Sequence, residues 1–329
     1  MSTALSLAAT VELPPQIEAD RQAIEVALHV VTSSRSSRVA TIARDSLTAG
    51  GKRLRPLLTC TVMRALGADP LRQMELIIAS ELVHTASLLH DDVVDGAAER
   101  RFHKTAHLRF DVPSAILAGD YLLSWALEKL AVAGIHDLQI ILARTIMELT
   151  EGEILERERR GDVHATLAHV REVNRLKTAA LFAYAAEAGV ILANGSLLQR
   201  QAARMYGQSL GNAFQVIDDL LDWFGDPHAT GKPRGQDLVQ GLITIPTALA
   251  CEKDAGFKQH VTSLLARDVT ADGIVQVSAE LERLGAFTAT RTMARADTEQ
   301  AVAALGVFPA NVWRDQLASG AHAALHRMT

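Results

Sequence analysis

Apolar positions recur along this chain mainly three and four residues apart, the repeat of amphipathic helices, and alternating β-branched runs are missing. Residues 15–47 predict two helices or one interrupted helix, because the serine-rich stretch 32–37 breaks the pattern. Gly50 marks a helix stop, and residues 50–56 predict a short basic loop before an apolar run that opens at Leu57. Further helices are expected over residues 71–95, 115–132, 135–158, 170–192 and 198–223, the last ended by Gly225-Asp226-Pro227. The mixed-sign stretch 156–160 reads as a solvated helix end. No breaker-rich linker divides the chain, so the expectation is one all-α domain over residues 1–329, a single large helical bundle.

Composition narrows the setting. With 329 residues and 48% hydrophobic content, the chain is able to bury a large core. A net charge of -5 with 22% charged residues provides no broad basic field, which argues against nucleic acid and against an anionic membrane surface as partners. Cys60 and Cys251 are too few for a disulfide framework or a zinc site and fit a reducing compartment. Residues 1–9 lack the basic region and long apolar core of a signal peptide, and no uncharged run reaches the ~18 residues of a membrane span. A cytoplasmic protein without a transmembrane segment is expected.

Two stretches carry most of the chemistry: His90-Asp91-Asp92-Val93-Val94-Asp95 and Ile217-Asp218-Asp219-Leu220-Leu221-Asp222. Each is a DDxxD run. On a helix the first and third carboxylates share a face and the second is offset by about 100°, so like charges crowd within one turn. A hard divalent cation relieves that crowding. Magnesium suits it, being held by one or two carboxylates together with waters and the phosphate oxygens of a substrate. A phosphorylated ligand between the two clusters is the expectation. A solvated acidic face is the plain alternative for either run alone, but apolar residues precede both.

Basic groups near these runs must be explained locally. Gly50-Gly51-Lys52-Arg53-Leu54-Arg55-Pro56 is either a simple loop with solvated charges or a phosphate cradle in which Gly51 admits backbone amides beside Lys52 and Arg55. His84 lies seven residues before Asp91, nearly on its face, and is either a core histidine or a ligand-facing one. Arg100 and Arg101 follow the first cluster with guanidiniums suited to phosphate. Lys177-Thr178 interrupts an apolar run, and a buried cation there needs an anionic partner. Gly231-Lys232 sits in a second glycine-rich basic loop at 230–235.

These motifs, in order between Gly50 and Pro246, resemble those of the trans-polyprenyl diphosphate synthases; the resemblance rests on residues 50–56, His84 to Asp95 with Arg100-Arg101, Lys177-Thr178, Phe214-Gln215 leading into Asp218, Asp219 and Asp222, and Gly231-Lys232. It implies the isoprenoid synthase type of helical bundle, a homodimer, and a Mg2+-dependent condensation of isopentenyl diphosphate with an allylic diphosphate. By the same resemblance, Asp91, Asp92 and Asp95 share magnesium with the allylic diphosphate from one side, and Asp218, Asp219 and Asp222 from the other. Lys52, Arg55, His84 and Arg101 are implied to bind isopentenyl diphosphate. Arg100, Lys177, Thr178, Gln215 and Lys232 are implied to face the allylic one. Such a site ionises the carbon to oxygen bond by stabilising the departing diphosphate and needs no side-chain nucleophile.

Three residues depart from the family pattern. Leu242 stands in the Gly241-Leu242-Ile243-Thr244 segment where a lysine is usual, Phe102 where glycine is common, and Glu156 where long-chain members usually have glutamine. An active enzyme with an altered allylic site is expected. Ala86, five residues before Asp91 with Val83 a turn deeper, leaves the floor of the product tunnel open, which points to a long all-trans product; Tyr121 or Trp125 closing it would give a short one, farnesyl or geranylgeranyl diphosphate. The rival readings are a terpene cyclase, which fits poorly with two DDxxD runs, and a non-catalytic regulatory subunit, which fits poorly with complete aspartates. His90-Asp91 as the start of a metal phosphohydrolase lacks its further ligands.

Overall fold

The computed structural model describes residues 14–100, 103–225, 234–267 and 269–325. Helices begin where short polar side chains precede apolar-periodic segments. The side chains of Asp111, Thr166, Asp254 and Thr270 each accept a hydrogen bond from the backbone N–H three residues on, satisfying a donor that the helix itself leaves open. Strand structure among the described residues is confined to β1 (Glu99–Arg100) and β2 (His103–Lys104), an antiparallel pair beyond the first aspartate cluster. The all-α expectation holds.

The chain forms two compact units, which share it unevenly. Residues 1–146, 184–204 and 307–317 belong to the first, and residues 147–183, 205–306 and 318–329 to the second. The first contains α1 (Pro15–Val31), α2 (Ser37–Thr48), α3 (Leu54–Ala65), the single turn α4 (Met74–Ile77), α5 (Ala79–Val94), the short α6 (Ala106–Arg109) and α7 (Val112–Ala133). Its interior is built from Ile24, Leu28, Ile42, Met63, Leu82 and Leu122. Helix α8 (His136–Glu158) runs from the first unit into the second. The second unit holds α9 (Leu167–Asn174), most of α11 (Leu197–Phe224), α12 (Gln236–Val239), α13 (Ile245–Lys253), α14 (Ala255–Leu265), α15 (Ala271–Arg283) and α16 (Ala286–Ala304). Val216, Ile217, Leu220 and Trp223 on the buried side of α11 pack in one core with Phe257, Val277 and Phe287. Helix α10 (Ala180–Leu192) continues from α9.

Three boundaries differ from expectation. The helix expected from Leu57 begins at Leu54, because Arg53 takes a left-handed conformation (φ 48°) that turns the chain directly into α3, and Pro56 is tolerated in the first turn. The helix expected over 71–95 is divided at Ile78, where the Glu81 N–H reaches back only three residues to the Ile78 carbonyl. The helix expected over 170–192 contains a π turn at Arg175–Ala179, between α9 and α10. That widened turn carries Lys177 and Thr178.

Candidate active site

The first aspartate run closes α5. Asp92 is buried, Asp91 partly so, and Asp95 is exposed at the helix C-cap, with Gly96 (φ 62°) taking the left-handed position that ends the helix. Arg100 on β1 donates through Nε to Asp92 at 2.7 Å. Burial pushes the Asp92 carboxyl above its ordinary range, and Arg100 pulls against that shift. The Thr105 hydroxyl donates to the Ala97 carbonyl at 2.7 Å and so ties the chain after β2 to the segment just past the helix end. Arg101 and Phe102 lie outside the described residues.

The basic loop resolves into different jobs. Arg53 is buried, clasped by Glu25 at 2.8 Å and Glu81 at 2.9 Å and donating also to the Leu47 carbonyl. It is a structural cation that holds α1, α3 and α5 to one another. Lys52 is left exposed, Gly51 likewise, and Arg55 is partly buried. Burial lowers Arg55 to about 10, with Glu81 opposing, so it remains charged at neutral pH. His84 is partly buried on α5, and its carbonyl accepts from Ser87.

In the second unit the site is a hydrogen-bonded line. Helix α11 packs antiparallel against the segment 174–183 at very short range: a Cβ on Gly207 would lie 2.4 Å from the Phe182 carbonyl oxygen, and one on Gly211 would lie 2.5 Å from Ala179 Cα. That approach brings the Thr178 hydroxyl within 2.7 Å of Gln215 Oε1, to which it donates, and Gln215 Nε2 donates in turn to Asp219 at 3.0 Å. The Ile245 N–H donates to the other Asp219 oxygen at 3.2 Å. Burial pushes the Asp219 carboxyl up to about 6, and Asp218 adds to the rise, while Gln215, Ile245 and Asn174 favour the ionised form. Asp222 accepts from the Gln236 N–H at 3.1 Å, and its carbonyl accepts from Gly235. Asp218 is partly exposed.

Lys177 has the anionic partners a buried cation requires. Its Nζ sits 2.5 Å from Glu156 and 2.7 Å from Glu153, both on α8. Burial works to lower the ammonium pKa, but the two carboxylates outweigh it and hold it above the ordinary lysine range. Glu156 is therefore not part of a solvated helix end: it is partly buried because α8 comes close here, a Cβ on Gly152 meeting Leu176 Cβ at 2.7 Å. Lys232 and Gly231 lie outside the described residues. Glu153 and His169 were not singled out from sequence, and the glycine inside the α8 pattern was the one signal that another chain segment approaches there.

A cavity of about 120 Å³ in this unit is lined by Arg160, His169, Gln215, Asp219 and Leu242, among others. The donor set fits a divalent cation in one respect. Asp219 is a buried carboxylate whose named partners are all neutral donors, and an ion is the counter-charge such a group lacks. Among the described residues no three His, Cys, Asp or Glu side chains form a ready-made metal cage. The carboxylates would hold an ion only together with oxygens from elsewhere, as magnesium sites on phosphorylated substrates do.

An all-α chain with two DDxxD helix ends, and with Thr178 and Gln215 lined up on Asp219 of the second, is a prenyltransferase. It belongs to the polyprenyl synthetase family, whose model matches residues 36–281. The octaprenyl diphosphate synthase of Escherichia coli is 32% identical over 279 residues, which cover 84% of this chain and 86% of the relative. The solved decaprenyl diphosphate synthase of Rhodobacter capsulatus superposes with a TM-score of 0.89 at 32% identity, covering 96% of this chain and 98% of that one. The polyprenyl synthase of Caulobacter crescentus, solved in complex with calcium and isoprenyl diphosphate, has a TM-score of 0.87 at 35% identity and covers 96% and 97%.

Proposed function

We propose that this enzyme lengthens an allylic diphosphate with isopentenyl diphosphate to a long all-trans polyprenyl diphosphate. The observation that carries the reading is the Thr178–Gln215–Asp219 line, which aligns a metal-compatible carboxylate with the polar pair of the π turn inside a chain of this family. In this reading Asp91, Asp92, Asp95, Asp218, Asp219 and Asp222 hold Mg2+ together with the allylic diphosphate. Bound there, the metal neutralises the diphosphate as a leaving group. Lys177, Thr178, Gln215, Arg100 and Lys232 bind that diphosphate, and Lys52, Arg55, His84 and Arg101, with the Gly51 backbone, bind isopentenyl diphosphate. Thr178 orients Gln215, and Gln215 in turn fixes Asp219. Apolar helix faces shield the allylic cation from water.

The whole chain acts as one catalytic domain, works as a homodimer and resides in the cytoplasm. No helix among the described residues is long and apolar enough to cross a membrane. Long-chain length is supported by the octaprenyl and decaprenyl relatives and by Ala86, a small buried residue below the first cluster.

The test is elongation itself. Labelled isopentenyl diphosphate, magnesium and allylic primers of increasing length are incubated with the wild type and with Asp91→Ala and Asp218→Ala, and products are sized. A ladder ending in a long chain and lost in both variants is expected. A ladder that stops at farnesyl or geranylgeranyl length would replace the product assignment with the short-chain one, and no elongation with any primer would refute the synthase.

A further inference from the structure

Among the described residues, the cations near the second aspartate cluster have competing partners or are replaced. Leu242 contributes no charge, and Lys177 is shared by two carboxylates. A diphosphate brought into a partly buried site needs charge-assisted donors of its own. Arg159 is clasped by Asp162 at 2.6 Å, and Arg234 donates to the Gly225 carbonyl at 3.3 Å. The Gly161 N–H donates to the Gly241 carbonyl at 2.7 Å, which pins the turn after α8 against the turn before Leu242. A Cβ on Gly241 would lie 3.3 Å from Arg160 Cγ, so the arginine stem runs directly over the chain beside residue 242.

Arg160 and Leu242 line the same cavity as Gln215 and Asp219. A second observation points to a ligand there. His169 lines that cavity too, and its Nε2 is buried with no hydrogen-bond partner among the described residues. A buried polar nitrogen without a partner is costly unless something fills the space beside it. Arginine and an imidazole N–H converging on one small volume are suited to phosphate oxygens.

We infer that Arg160, with His169 as a second donor, binds the allylic diphosphate where residue 242 carries no charge. The inference rests on the synthase reading above. Arg160 is an exposed residue, so its replacement leaves the core alone.

The test compares the wild type, Arg160→Gln and Arg160→Gln/Leu242→Lys in two assays, after thermal melts confirm that all three are folded. Steady-state kinetics yield KM for the allylic primer and for isopentenyl diphosphate separately, and calorimetry measures binding of inorganic pyrophosphate with Mg2+. Loss of one charge-assisted contact is expected to raise the primer KM about tenfold or more. The KM for isopentenyl diphosphate stays unchanged, pyrophosphate binding weakens in parallel, and Leu242→Lys restores both quantities. An unchanged primer KM, or an equal rise for both substrates, overturns the inference. If the wild type elongates no primer, the synthase reading fails by itself. Calorimetry then decides on Arg160: weaker pyrophosphate binding in Arg160→Gln keeps it as an anion-binding residue, and unchanged binding removes it.

Discussion

Asp219 shows how function and stability pull against each other in a single side chain. Its folded pKa of about 6 lies above the roughly 4 of an unfolded chain, so the folded state holds a neutral carboxyl without penalty only at low pH. As pH rises through 6 the interior must carry the anion, and stability falls by about 3 kcal/mol in all, roughly half of it between pH 5 and pH 8. Urea unfolding of the metal-free protein should show that loss in the wild type and not in Asp219→Asn; parallel pH profiles would contradict it. The same variant is expected to lower kcat about a hundredfold, since it removes one carboxylate that would hold the metal neutralising the departing diphosphate. Glu156 is the converse case. It places a second carboxylate on Lys177 beside the position where that diphosphate would arrive. Glu156→Gln is expected to lower the primer KM roughly threefold, through loss of one unit of repulsion. A raised KM would mean that Lys177 needs both glutamates to stay in place.

Helix α11 turns its chemistry toward a neighbour by using small residues. Gly207, Gly211, Gln215 and Asp219 are four residues apart in series, one nearly continuous stripe, and the glycines let the 174–183 segment come within backbone range. At Gly207 the obstacle is the Phe182 main chain, which is unable to swing aside as a side-chain tip would. Gly207→Ala is therefore expected to destabilise the fold by about 2 kcal/mol or more. It should also weaken primer binding by moving Thr178 away from Gln215. Thermal unfolding and primer KM check the two effects separately. The period of this helix was plain in the chain, as were its aspartates. Its glycine stripe passed as ordinary helix, because only the partner segment shows what the missing side chains make room for. The π turn was equally hidden: Lys177-Thr178 marked a polar interruption, but the extra residue per turn has no signature in the apolar pattern.

The assembled protein exposes apolar side chains that the helical patterns placed at full turns. Ile140, Met147 and Ile154 on α8 recur every seven residues and are 46%, 62% and 52% exposed. A stripe of this kind on a charged helix suits the subunit contact of the proposed homodimer. Sedimentation is expected to give twice the 35.5 kDa chain mass, and Met147→Asp to shift the protein toward monomer. A wild-type monomer at micromolar concentration would dismiss the dimer. Fold class was legible from the helical patterns between residues 15 and 223, because helical spacing and cap residues are local properties, and local hydrogen bonding enforces them wherever the segment packs.

The acidic runs and Lys177-Thr178 stood out for a related reason, while Gln215 was marked only by the family resemblance. Crowded carboxylates and a cation inside an apolar run are costly in themselves, so they declare a ligand or a partner before any fold is known. Which partner each one takes is a matter of distance between segments far apart in the chain. Arg53, one of three cations in a loop, became a buried clasp, while Lys52 beside it stayed exposed. Glu156 left the solvated helix end for Lys177, and Arg160 came to rest against Gly241. Charge is written in the sequence; pairing depends on which backbones approach closely enough for those charges to meet.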